Sequence, residues 1–184
     1  MAIADAVIGL LASDGSRRTT HRAVDDVLGL AEGSTSAYYR TRASLLAAAA
    51  RRLADLDRET LDGLVDAPGL AGVGKGDVGP MIAAVVEAWT APHLANRQLA
   101  RLELQLEARR SSELAEVFTE LRGRFVERIR SALSVYGVEA TDAAPAAKVY
   151  VAITDGLICD RLFFPDSAMP PQQLSEALVR ALGA

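Results

Sequence analysis

The sequence predicts an all-α protein of about nine helices. Half of its 184 residues are apolar, enough for a sizeable core, yet only 5% are aromatic. Ala and Leu dominate, and no run rich in Val, Ile and Thr alternates between turns as a strand would. Instead, apolar residues recur at three- and four-residue spacing along most of the chain. The length suits one large or two small domains.

A first helix is expected over about Ile3 to Ser13, with Val7, Leu10 and Leu11 inward and Gly15 ending it. Arg17 and Arg18 lie in the link that follows. A second helix runs from about Thr20 to Leu28. Threonines cap its start, Val24, Val27 and Leu28 face inward, and Gly29 suits the left-handed helix stop. Leu30 is expected to plug the turn. A third helix, short and nearly uncharged, covers about Glu32 to Tyr39 and carries Ser34, Thr35, Ser36 and Tyr38. Arg40 and Arg42 follow. A fourth helix, from about Ala43 to Val65, would span roughly 30 Å or more and connect two domains.

Residues Gly69 to Gly79 are glycine-rich without periodicity and read as a loop. The fifth helix covers about Val78 to Ala91 and turns Met81, Ile82, Val85, Val86 and Trp89 one way. Pro92 interrupts it, because proline disfavours helical geometry in the preceding residue. The sixth covers about Leu94 to Arg109. Leu102 to Glu107 alternates like a strand, but Leu, Glu and Gln are strong helix formers. The seventh covers about Ser112 to Tyr136, before Gly137. The eighth runs from about Asp142 to Phe164 and ends at Pro165, and the ninth from about Pro171 to Leu182.

The eighth helix has two apolar stripes, one of Val149, Ile153, Leu157 and Phe164, the other of Val151, Ile158 and Leu162. Such a helix must be covered twice. Val151, Ile158 and Leu162, with Leu174 and Leu178 of the ninth helix, are assigned to a seam with a second copy. Four helices from two subunits would form an isologous bundle.

Helix, glycine turn, polar second helix and trailing arginines make a helix-turn-helix arrangement over residues 19–46. There the sequence resembles the DNA-binding domain of the TetR family of transcriptional repressors. The matching positions are Gly29, Leu30, Gly33, Ser34, Tyr38, Tyr39, Thr41, Arg42, Leu45 and Leu46, without a gap. Three positions depart from the family pattern. Ala31 stands where a Ser or Thr cap is usual, Glu32 where a basic residue is common, and Asp25 where a small apolar residue is frequent.

The resemblance implies a head at residues 1–46 and an effector-binding, dimerising body at 47–184. It implies a ligand-responsive repressor that binds operator DNA as a homodimer. Thr35 and Ser36 would approach base edges, flanked by Ser34, with Tyr38 and Arg42 on phosphates and Arg17, Thr20 and Gly33 fixing the register. Charge agrees. Net charge is −4 overall, but residues 1–52 hold seven arginines against five carboxylates, a net +2, leaving −6 for the rest.

Aromatic side chains of the body can line an effector pocket, with a few polar groups for orientation. Trp89, Phe118, Phe125 and Tyr150 are the expected rings, with Tyr136, Phe163 and Phe164 nearby in sequence. His93, Glu103 and Asp160 are the expected polar groups. They suit a mostly hydrophobic small molecule with a cationic or hydrogen-bonding end.

Enzymatic readings find no support. His21 and His93 lack metal-type partner spacing, no Glu-x-x-His pair suits a di-iron bundle, and no glycine-rich phosphate loop follows a strand. No cofactor or metal is expected. Cys159 is alone, so no disulfide forms within the chain. No apolar run spans a membrane and the N-terminus, with Asp5, is unlike a signal peptide, so a cytoplasmic location is expected. The alternative reading is a helical dimer that binds a small molecule or protein, with little or no DNA binding.

Overall fold

The computed structural model describes residues 2–65, 79–135 and 140–182. The expected loop over residues 69–78, Tyr136 and Gly137 lie outside the described residues.

The described residues form nine α-helices and no strand. They are α1 (Ala2–Arg18), α2 (His21–Leu28), α3 (Ser34–Tyr38), α4 (Arg42–Val65), α5 (Gly79–Thr90), α6 (Pro92–Ala108), α7 (Ser112–Val135), α8 (Ala140–Phe163) and α9 (Pro171–Leu182). Two features differ from expectation. The first helix continues to Arg18 through a kink at Gly15, where φ is 75° and ψ 171°. A short 3-10 turn over Pro165–Ser167 separates α8 from α9.

Contacts divide the chain into two compact units. One comprises Met1–Arg58 with Pro92–Arg122, the other Glu59–Ala91 with Gly123–Ala184.

In the first unit α1 packs against α2 and α6. Its core gathers Val7, Leu11, Val24, Leu45, Leu46, Leu53, Leu104 and Leu114, all nearly inaccessible to water. Burial of each such side chain stabilises by about 1.5–3 kcal/mol. Ala47, Ala49 and Ala50 of α4 and Ala100 of α6 are buried beside them. The inward face of α2 differs from expectation. Val24 and Asp25 are buried, whereas Val27 is 59% and Leu30 41% exposed. Three residues on from Val24, Val27 falls off the buried arc, and Asp25 takes a place inside because its carboxylate finds donors there.

In the second unit α5 packs against α8 and α9. A Cβ added at Gly79 would lie 2.9 Å from the Val179 backbone nitrogen and 3.2 Å from the Ser175 carbonyl oxygen, so only glycine permits this approach.

The two stripes of α8 are assigned opposite roles from those expected. Val151 and Ile158 are buried within the single chain, as are Leu174 and Leu178 of α9, and Leu162 is half-buried. They belong to the unit's own core and are not free to form a seam. The outward face instead carries Val149, Phe163 and Phe164, each more than half exposed, with Met169 and Val179 beyond.

Candidate nucleic-acid interface and ligand cavity

The helix-turn-helix is built from a chain of caps. Thr20, in extended conformation, caps α2, its hydroxyl accepting from the Ala23 N–H at 3.1 Å. Gly29 closes α2 at φ 63°, which costs glycine nothing. The Asp25 carbonyl then accepts the Leu30 N–H at 2.9 Å. The His21 ring nitrogen lies 2.7 Å from the Tyr39 carbonyl, which ties the start of α2 to the end of α3.

Within α3 the expected base-reading pair separates. Ser36 is exposed, but Thr35 is fully buried, with its hydroxyl donating to Asp25 at 2.5 Å. Thr35 has no surface to offer a base. The outward face of α3 consists of Ser36, Ala37 and Tyr38, the last 76% exposed, with Gly33 exposed and Ser34 half-buried at its start. The Ser34 and Ser36 hydroxyls donate to the Ala31 and Gly33 carbonyls, at 2.6 and 2.8 Å. Their lone pairs remain for a donor from outside.

Arg42, expected on a phosphate, is turned inward. Its guanidinium donates to the Thr19 and Ser16 carbonyls, clamping the link between α1 and α2 to the start of α4. Arg17, Arg18, Arg22 and Arg40 are exposed around the motif. Of these, Arg18 lies 3.5 Å from Asp14 and Arg22 3.7 Å from Glu32, both solvent-exposed pairs of small energetic weight.

Glu103 is also placed differently from expectation. It accepts the Ser16 N–H at 3.0 Å, while Glu107, one turn on, accepts the Ser16 hydroxyl at 2.8 Å. The kink at Gly15 directs these groups toward α6, so Glu103 holds the end of α1 and is not a ligand group. His93 and Asp160 are exposed, and Phe118 packs half-buried against the first unit's core. Asp160 misses the interior because it follows Val149 and Gly156 along the exposed side of α8.

The remaining three expected ligand residues do gather. The Trp89 and Phe125 rings lie 5.7 Å apart and tilted by 38°. Phe125 and Tyr150 line a small cavity with Leu61, Met81, Ile82, Val85, Ile129, Val151 and Thr154. Its volume of about 20 Å³ is room for roughly one water. The lining is almost wholly apolar, since the Thr154 hydroxyl donates to the Tyr150 carbonyl at 2.8 Å.

One polar cluster was missed from sequence. Asp57 is 3% exposed and pairs with Arg101. Among the described residues its Oδ1 and the Nε2 of buried Gln98 have no hydrogen-bond partner. The available signal was Asp57 falling between Leu53 and Leu61 at four-residue spacing on an inward helix face. Among the described residues no group of three His, Cys, Asp or Glu side chains could hold a metal ion, and no helix is long and apolar enough to cross a membrane.

Residues 73–184 match the family described as tetracyclin repressor-like, C-terminal domain. The chain belongs to the TetR family of transcriptional regulators. Solved structures of TetR type share its fold over nearly the whole chain. A TetR-family member from Streptomyces coelicolor A3 is 25% identical with a TM-score of 0.71, covering 98% of this chain and 96% of that one. The multidrug-binding protein EbrR, complexed with imidazole, is 26% identical with a TM-score of 0.69, covering 98% and 93%. A transcriptional regulator from Saccharomonospora viridis, in complex with choline, is 15% identical with a TM-score of 0.74, covering 99% and 94%, a likeness of fold alone. Comparison with curated protein sequences finds no match.

Proposed function

We propose that this TetR-family regulator is a ligand-responsive repressor that binds operator DNA as a homodimer. The observation that carries the reading is the helix-turn-helix itself. A short α3 presents Ser36, Ala37 and Tyr38 outward, amid exposed Arg17, Arg22 and Arg40. Such a helix fits a major groove while the arginines meet phosphates. Among the expected contacts, Ser36 reads base edges, Ser34 and the Gly33 backbone flank them, and Thr20 and Tyr38 hold the backbone. Thr35 and Arg42 act from behind by fixing the geometry.

Dimerisation is assigned to the outward stripe of α8. Val149, Phe163 and Phe164 expose apolar surface that a second copy of the same face would cover.

The effector enters the apolar cavity of the second unit. A molecule larger than a water must displace its lining, and Met81 is the flexible member of that lining. A mostly hydrophobic ligand suits these walls. The choline, imidazole and ethidium bound by structural relatives extend the expectation to a cationic end. Release of DNA requires that the ligand prefer the released conformation, since equal affinity for both states moves nothing.

Fluorescence anisotropy with DNA from upstream of the protein's own gene, at low and moderate salt, tests the reading. Binding should weaken steeply as salt rises. Absence of salt-dependent binding would instead favour a helical dimer that binds only a small molecule or protein, for which exposed Glu32 in the turn of the motif is the favouring observation. The Trp89 ring lies against that of cavity-lining Phe125, so quenching of its fluorescence screens for effectors.

A further inference from the structure

A five-residue helix does not hold itself together in water, because nucleation fixes several residues for few hydrogen bonds. Helix α3 also lacks a side-chain cap at its start. Its N-cap is Gly33, at φ 91°, with no side chain to accept a hydrogen bond, and the Ala31 side chain before it offers no acceptor either. Yet two N–H groups at this end have a carboxylate partner supplied from a different helix. Asp25 Oδ2 accepts the Gly33 N–H at 2.9 Å, and Oδ1 accepts the Thr35 N–H at 2.8 Å. The Thr35 hydroxyl donates to the same Oδ1 at 2.5 Å. Asp25 and Thr35 are 2% and 0% exposed, so this is an interior network. The backbone of Asp25 contributes too, its carbonyl closing the α2 turn through Leu30.

We propose that Asp25 is the positioning residue of the DNA-reading helix. Its carboxylate caps α3 from α2 and turns Thr35 inward, which sets the rotation of α3 that presents Ser36 and Tyr38. Three donors on one buried carboxylate fix both the tilt and the roll of a helix too short to fix its own. Charge-assisted hydrogen bonds of this kind are the strong ones, and their geometry is narrow. An apolar residue at position 25 would pack but would not orient, since dispersion contacts have little directional preference. The departures Ala31 and Asp25 therefore account for each other, the cap absent at one being supplied by the other.

The inference rests on the proposed DNA binding, so the experiment separates the two. Asp25→Ala and Asp25→Asn are compared with the unaltered chain in operator affinity, non-specific DNA affinity, thermal stability and amide exchange at Gly33 and Thr35. Asp25→Ala should lose about tenfold or more in operator affinity, with non-specific affinity nearly unchanged and faster exchange at Thr35. Asp25→Asn, which keeps one acceptor oxygen, should recover part of the loss and covers the case in which the alanine variant folds poorly. Unchanged operator affinity and Thr35 protection in Asp25→Ala would overturn the proposal. Equal losses on operator and non-specific DNA, with a matching fall in thermal stability, would also overturn it, leaving Asp25 a purely structural group. If the unaltered chain binds no DNA, the functional reading fails by itself, and exchange at Thr35 still decides whether Asp25 holds α3.

Discussion

Both compact units have apolar cores, but they differ in the directional bonds described within them. In the first, directional bonds to buried or half-buried groups recur: Asp25 on Gly33 and Thr35, Arg42 on Ser16 and Thr19, Glu103 and Glu107 on Ser16, with the ion pair of Asp57 and Arg101 besides. In the second, Met81, Ile82, Val85 and Val86 of α5 are buried, and the ion pairs of Arg128 with Asp62 and Arg130 with Glu127 lie at the surface. The difference teaches what each unit is fitted for. Hydrogen bonds specify angles, which a reading surface needs. Apolar packing specifies volume, which a cavity that admits a ligand can vary at smaller cost.

The comparison can be broken most severely at Asp57. Asp57→Ala removes the carboxylate that Arg101 pairs with in the interior, and should destabilise by about 3–5 kcal/mol. Replacing both, Asp57→Leu with Arg101→Met, should bring stability close to that of the unaltered chain, as urea denaturation will report. If the single and double variants are equally unstable, the pair is not what organises this part of the first unit.

Volume, not direction, governs the next. Gly79→Ala forces a methyl group against the Val179 backbone and should cost about 1–3 kcal/mol. Gly123→Ala, in the interior of α7 with nothing within 4 Å of the new methyl, should stabilise by up to about 1 kcal/mol. Thermal denaturation of both variants reads the sign directly. A harmless Gly79→Ala would mean that α9 yields easily, and the contrast between tight and open sites would lapse.

Assembly gives a change of state more than of stability. Phe163→Glu, on the exposed stripe, should sediment as a folded monomer. Ile158→Glu, on the buried one, should unfold the chain by placing a charge in its core. A folded Phe163→Glu that still sediments as a dimer would place the interface elsewhere.

The smallest effect is a titration. The Thr35 hydroxyl, with the Thr35 and Gly33 N–H groups and the charge of His21, holds the Asp25 carboxyl below its ordinary value of 3.8, against the opposing effect of desolvation. A depressed carboxylate stabilises the native state above its unfolded pKa and loses that contribution as pH falls through the folded value. The first unit should therefore show acid lability below about pH 4, and Asp25→Asn should flatten that dependence. Amide exchange at Thr35 from pH 3 to 6, corrected for intrinsic rates, measures it.

The helices themselves were legible because their cause is local. Thr20 caps and Gly29 stops α2 through atoms within a few residues, and three- to four-residue spacing of Leu and Val marks the buried arcs. The helix-turn-helix pattern and the all-α class follow from such local signals, and so does the place of Trp89 and Phe125 in an apolar region. Tertiary structure alone decided which of two chemically similar surfaces is covered. The stripes of α8 are equally apolar in sequence, and only packing against α5 makes Val151 and Ile158 interior and Val149 and Phe163 exterior. It also decided the partners of the polar groups. Glu103 holds Ser16, and Arg42 holds Ser16 and Thr19, from helices distant in sequence. Local pattern conveys whether a side chain tolerates burial. A hydrogen-bond partner is fixed by distance and angle in three dimensions, which is why Thr35, a hydroxyl on an otherwise polar helix, looks outward in the sequence and faces Asp25 in the fold.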